Sequence, residues 1–332
     1  MSANIPYQLR PNKHVDRQLF ISCLSAILPN LGLEKYCYIS MGGRHLVDHK
    51  VIYKSLGISA LYSFDADAEI VRRQNFNSPI DTTLCIAHHS SELASKLDDI
   101  LNYFTPKQNA VIWLDYTDPH ARLGQLLEAV DVMKRMQPGD VLRITLNANE
   151  GSLVKSTAEW KEEGYESPSQ FRAVKYVESI GDFAPIGLER IKDGELPKVL
   201  NKSLQIAISR ARMENKSVDL CPVLITEYRD GQRMYTATLL ALDPRKGNDQ
   251  LRQKLTQMGV NIGSWDKLIS VVAPDFSQKE KYRIDSILSK ETQEIIDALE
   301  FLPEASAQKS EVAIKSYKEL HRFYPTYHQV DL

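Results

Sequence analysis

At 332 residues, 43% of them apolar, the chain can bury a substantial core as one large domain or as two. Its 41 basic and 43 acidic residues leave a formal net charge of −2, which argues against a generic electrostatic grip on nucleic acid while leaving room for a local basic groove. The four cysteines, Cys23, Cys37, Cys85 and Cys221, form no CxxC pair, so buried free thiols in a reducing cytoplasm are expected rather than a zinc ribbon or a disulfide framework.

No signal-peptide pattern opens the chain, and no apolar run nears the roughly 18 residues that suggest a membrane span. Residues 1–30 read as an N-terminal helical segment. Phe20, Ile21, Leu24, Ile27 and Leu28 form its apolar stripe, and Arg10, Lys13 and Arg17 stand ahead of it as a solvated helix start or as contacts to a bound anion.

Residues 36–77 then carry the first strand, turn, crossover helix and second strand of a doubly wound sheet. A continuous apolar run (36–39) ends at Gly42 and Gly43, a helix follows, and a second run (60–64) ends at Asp65 and Asp67. Ligands of such sheets sit at the carboxyl ends of the strands, so this order predicts a nucleoside-type cofactor site. His45, Asp48 and His49 follow at i, i+3, i+4 and are expected on one helix face, a spacing open to metal ligation, to cofactor or substrate contact, or to plain surface polarity. The run Arg72, Arg73, Gln74, Asn75 and Asn77 could bind an anionic ligand, and is expected rather to anchor the acidic cluster through ion pairs.

A regular alternation continues, with strands at 82–88, 110–114 and 141–146 and helices at 91–104 and 122–136. Five parallel strands with helices on both faces make one Rossmann-like domain, assigned to 31–245. Residues 151–195 interrupt it as a helical insertion over the carboxyl edge. Residues 196–215 form a helix whose Lys198, Lys202, Arg210 and Arg212 make a solvated face. Residues 222–228 and 233–240 flank Asp230-Gly231, a β-hairpin signal. Residues 246–332 read as a helical C-terminal extension, with one amphipathic helix over 279–301, a flexible break at 305–310 and an aromatic tail suited to docking on a surface or a protein partner.

Five parallel strands closed by an antiparallel hairpin resemble class I S-adenosylmethionine-dependent methyltransferases. The stretches YISMGGRHLVDH, LYSFDAD, RRQNFNSP and VIWLDYTDP more closely resemble a bacterial group of O-methyltransferase-like proteins. The resemblance implies a mostly parallel α/β methyltransferase fold and S-adenosylmethionine as cofactor. It also implies Ser40, Met41, Gly42 and Gly43 as the cofactor turn, Asp65 or its rival Asp67 as ribose acceptor, and His88 near the adenine or substrate edge. Asp115 and Tyr116 then fall at catalytic positions, with Asp118 or His49 assisting. Asp115 reads equally as a general base or as a helix cap.

The family's acidic-x-Gly-x-Gly-x-Gly pattern is absent, and Arg44 stands where a small residue is usual. Two functions are therefore carried forward. One is methyl transfer to an oxygen or nitrogen of a small molecule or nucleotide. The other is a catalytically degenerate cofactor-binding module that regulates or scaffolds a partner, for instance in bacterial defence.

Overall fold

The computed structural model describes residues 10–104, 109–154 and 158–325. The chain divides into two compact units, one of Phe20–Ile225 and Gln232–Leu268, the other of Met1–Leu19, Thr226–Gly231 and Ile269–Leu332.

After α1 (Pro11–Ile27) come β1 (Tyr36–Ser40), α2 (Val47–Leu56), β2 (Leu61–Asp65), α3 (Ala68–Asn77), β3 (Leu84–Ala87), α4 (Leu93–Tyr103), β4 (Asn109–Asp115), α5 (Arg122–Arg135) and β5 (Val141–Asn147). The insertion holds α6 (Glu159–Glu162) and α7 (Pro168–Ile180), and α8 (Leu196–Glu214) leads into β6 (Asp219–Asp230) and β7 (Gln232–Leu242). The strand order is β3-β2-β1-β4-β5-β7-β6-β8, with β8 spanning Leu268–Val271. β1 pairs in parallel with β2 and β4, β3 with β2, and β5 with β4. β7 is antiparallel to β5, with Ile144 opposite Ala237.

The strands form where they do because their apolar runs are continuous: every residue of β1 and β5 is buried, as a parallel sheet covered on both faces requires. One face packs Ile112, Leu114, Leu142 and Ile144 into a core with Leu126, Val130 and Met133 of α5 and Leu200, Leu204 and Ala207 of α8. Elsewhere in this unit the fully buried Arg143 lies 4.6 Å over Phe20 and 4.9 Å over Trp113 and donates to Thr238 Oγ1 at 2.7 Å. A guanidinium stacked on two rings keeps its charge while shedding water.

The hairpin turns on a single residue, Gly231, at φ +89°. Both strands are longer than the apolar pattern alone indicates. α9 (Asp249–Gln257) follows them.

Three expectations for the C-terminal extension are corrected. Residues 268–271 are strand, not part of a helical run. Residues 279–301 form two helices, α10 (Gln278–Asp285) and α11 (Thr292–Leu299), because each has its own N-terminal capping box, Ser277 with Glu280 and Glu291 with Glu294. The expected break at 305–310 is the start of α12 (Ala307–Leu320), capped by Ser306, which accepts from Lys309 N.

The core of this smaller unit is Phe276, Ile284, Ile295, Ile296, Leu299, Ala313, Ile314 and Tyr317. The aromatic tail docks within the unit as far as it is described: Tyr324 packs 5.3 Å from Tyr317 and donates to Val272 O at 2.8 Å. The expected contacts of 326–332 lie outside the described residues. Among the described residues no helix is long and apolar enough to cross a membrane.

Candidate cofactor site at the carboxyl edge

The carboxyl ends of β1 to β4 meet at one edge: Ser40 is in register with Ser63 and with Trp113, Asp65 with Ala87, and Asp115 with Thr145. β2 lies on one side of β1 and β4 on the other, which is the switch point where a crevice opens beyond the strand ends.

The chain leaves β1 through a tight turn. Gly42 and Gly43 have φ of +64° and +53°, and Gly43 N donates to Met41 O at 2.7 Å. At Gly42 the requirement for glycine is double. A Cβ there would lie 2.3 Å from Ser63 Oγ and 2.9 Å from His49 Cε1, while positive φ already disfavours any side chain. Leu46 is also left-handed, at φ +50°, so α2 begins only at Val47. His45 therefore precedes the helix, and the expected shared face of His45, Asp48 and His49 does not form. Asp48 and His49 are buried, and among the described residues no group of three acidic, histidine or cysteine side chains is placed to hold a metal.

His49 lies beneath the turn. Its Nε2 donates to Tyr62 O at 2.9 Å and its ring meets Tyr38 edge-on at 4.9 Å. Burial lowers its pKa to about 4, so the ring is neutral. Its Nδ1 and the nearby Ser63 Oγ are buried without a hydrogen-bond partner among the described residues.

α3 holds the turn from the other side. The buried Gln74 donates from Nε2 to Met41 O at 3.1 Å, and Asn77 Nδ2 donates to Arg44 O at 2.9 Å. The polar run after β2 thus clamps the glycine turn through its amides. Ion pairing to the acidic cluster is limited to Arg72 with Glu69, both exposed.

The two candidate ribose acids are in different situations. Asp67 is the N-cap of α3, its carboxylate accepting from Glu69 N at 2.8 Å. Asp65 gives one oxygen to Asp67 N at 2.9 Å, and its second oxygen has no hydrogen bond among the described residues. His88, just past β3, donates from its backbone to Asp65 O at 3.1 Å and stacks on Phe64 at 4.7 Å. Its Nδ1 donates to His89 O at 2.8 Å, which leaves Nε2 to accept from Tyr62 Oη at 2.9 Å. Burial lowers the His88 pKa and raises that of Tyr62 to about 12.

Beyond β4, Asp115 is half-buried at the strand end. Tyr116 turns into the core, where its hydroxyl donates to Glu128 Oε2 at 2.7 Å, and burial followed by the Glu128 charge raises its pKa. Asp118 accepts from His120 N at 2.8 Å. Two residues that sequence reasoning passed over frame this loop. Asn147 Nδ2 donates to Thr117 O at 3.0 Å, and the buried Arg122 donates to Asn147 O at 2.8 Å and to Ser152 Oγ at 2.8 Å. The one available signal was an Asn directly ending the fifth strand.

Of the basic residues expected ahead of the first helix, Arg10 precedes α1 while Lys13 and Arg17 lie within it and are buried rather than solvated, and all three belong to the smaller unit. There the backbone amides of Asn12 and Lys13 both donate to the Asp230 carboxylate, at 3.3 and 2.7 Å. The anion expected at this helix start is thus supplied by the chain itself.

Strand order and pairing define a Rossmann-like fold of the S-adenosylmethionine-dependent methyltransferase class. The chain belongs to the family described as "Putative O-methyltransferase", whose model matches residues 5–332. No curated protein sequence matches it.

Among solved structures it is similar to a methyltransferase of Anabaena variabilis, at 9% identity over 69% of this chain and 86% of that one, with a TM-score of 0.37. An O-methyltransferase of Bacillus cereus in complex with S-adenosylhomocysteine matches at 10% over 71% and 84%, TM-score 0.36. An rRNA methylase of Streptococcus thermophilus matches at 14% over 68% and 96%, TM-score 0.33. The fold assignment rests on the strand order and the family, not on these scores.

Proposed function

We propose that the protein transfers a methyl group from S-adenosylmethionine to an oxygen or nitrogen of a small molecule or nucleotide. The observation that carries this reading is the pairing of the Gly42 turn with Asp65 at the switch point. Gly42 fits the turn against Ser63 and His49, Gly43 faces open space where a ligand can approach the backbone, and a carboxylate with one oxygen free of hydrogen bonds among the described residues suits a ribose diol. The glycines missing from the usual pattern are offset by Gln74 and Asn77, which hold the turn through its carbonyls. That clamp favours a working site over a degenerate one.

In this reading Ser40, Met41, Gly42 and Gly43 seat the methionine end of the donor, Asp65 binds its ribose, and His88 borders the adenine. Asp67 keeps α3 capped. The donor supplies an electrophilic methyl carbon on a sulfonium. When bound, the donor would supply that carbon to the acceptor and leave as its neutral thioether. Asp115 takes the acceptor's proton, a role supported by its place at the end of β4 and its partial exposure. Tyr116 and His49 support the site through Glu128 and the Tyr62 carbonyl. The four free, buried cysteines favour a reducing cytoplasm.

The test is incubation with methyl-labelled donor and a library of hydroxyl and amine acceptors, with products read by mass spectrometry. Label should appear on an acceptor with the wild-type protein and fall about 100-fold or more with Asp115→Ala. Unchanged turnover in that variant would remove Asp115 as base.

A further inference from the structure

The loop that makes the glycine turn, the first turn of α2 and the middle of α3 carry exposed cations. Arg44, Lys50, Arg72 and Arg73 are all exposed. Arg72 is matched by Glu69, but Arg44, Lys50 and Arg73 form no ion pair among the described residues. His45 sits in the field of those three cations. Burial lowers its pKa, and Arg73, Arg44 and Lys50 push in the same direction.

On the outer face of α3, beside Arg73, stands Phe76, 90% exposed. It follows Arg73 by three residues, so the two are neighbours on the helix surface, and Asn77 beside them is tied to the Arg44 carbonyl at 2.9 Å. The face that α3 buries is instead Val71 and Gln74. The phenyl ring is therefore outside the packed face, yet it stands next to Arg73 on the helix whose Gln74 and Asn77 hold the cofactor turn. A chain of net charge −2 has no general reason to concentrate cations there.

An exposed ring offers a stacking face to a base, and guanidinium and ammonium groups on either side offer contacts to successive phosphates. A free mononucleotide needs one stack and one anion contact. Three cations without ion pairs among the described residues, drawn from the turn, α2 and α3, match several phosphates in a row. We propose that Arg44, His45, Lys50, Arg73 and Phe76 form a docking surface for single-stranded nucleic acid, which passes along the rim of the carboxyl-edge crevice. That the strand also presents the methyl acceptor rests on the function proposed above, whereas strand binding does not.

The experiment is fluorescence anisotropy of the full-length protein, without donor, against labelled oligouridylate and oligothymidylate of about ten nucleotides. Saturable binding that weakens with salt is expected. Arg44→Gln and Arg73→Gln should each weaken it and reduce the salt slope by roughly one. Phe76→Ala should weaken it about 5-fold to 100-fold without changing that slope. Lys198→Gln with Lys202→Gln, on the exposed face of α8, should leave it unchanged.

Melting curves that coincide with wild type would confirm that the variants fold. Absence of saturable binding, binding that ignores all three patch variants, or a mononucleotide or duplex competing as well as the strand would each overturn the proposal. S-adenosylhomocysteine binding, measured separately, tells its failure apart from failure of the methyl-transfer reading.

Discussion

At Gly42 one missing side chain decides the shape of the site. Gly42→Ala would place a Cβ 2.3 Å from Ser63 Oγ at positive φ, so a loss of about 1–3 kcal/mol in stability is expected in urea titration. Asp67→Ala removes the cap of α3 and should cost about 1 kcal/mol while changing S-adenosylhomocysteine affinity less than the same change at Asp65.

His49 gives a pH signature. Its folded pKa of about 4 lies below the ordinary histidine value of 6.5, so between these values the unfolded chain binds more protons than the folded one. Its contribution is therefore complete above pH ~6.5 and is lost as pH falls toward 4, by up to about 3 kcal/mol. Wild type should lose more stability than His49→Gln over that interval, and parallel curves would contradict this. Of these residues, the turn glycines were legible from the end of the first apolar run, and the strand-end acid was narrowed to Asp65 or Asp67. The hydrogen bonds that occupy His49, His88 and Tyr116 were not, because their partners Tyr62, His89 and Glu128 become neighbours only through particular side-chain directions.

α3 shows how a stretch can be singled out in sequence while its task is misread. A dense polar run beside two aspartates suggests ion pairs, yet its amides reach back to Met41 and Arg44. Gln74→Leu keeps the volume and removes the donor, so it should weaken S-adenosylhomocysteine binding about 5-fold or more while α3 stays folded. Unchanged affinity with an unchanged circular dichroism spectrum would show that the clamp is dispensable.

The parallel strands were readable because burial on both faces leaves unbroken apolar runs. The same physics hides β8, four residues with little burial, and it blurs α10 into α11, whose separation depends on two capping boxes rather than on hydrophobic period. Arg143 within β5 reads as an interruption of an apolar strand, and only the packed rings of Phe20 and Trp113 explain it.

For the whole molecule, five parallel strands and an antiparallel seventh place the ends of β1, β2 and β4 around a single crevice. Family membership spanning residues 5–332 gives the chain its chemical class. Isothermal titration calorimetry of the full-length protein with S-adenosylhomocysteine tests the central claim most directly. Saturable binding to the wild type is expected, weakened roughly 10-fold to 100-fold by Asp65→Ala, as loss of charge-assisted hydrogen bonds to a ribose predicts. Absence of binding to the folded wild type, or affinity untouched by Asp65→Ala, would contradict the account.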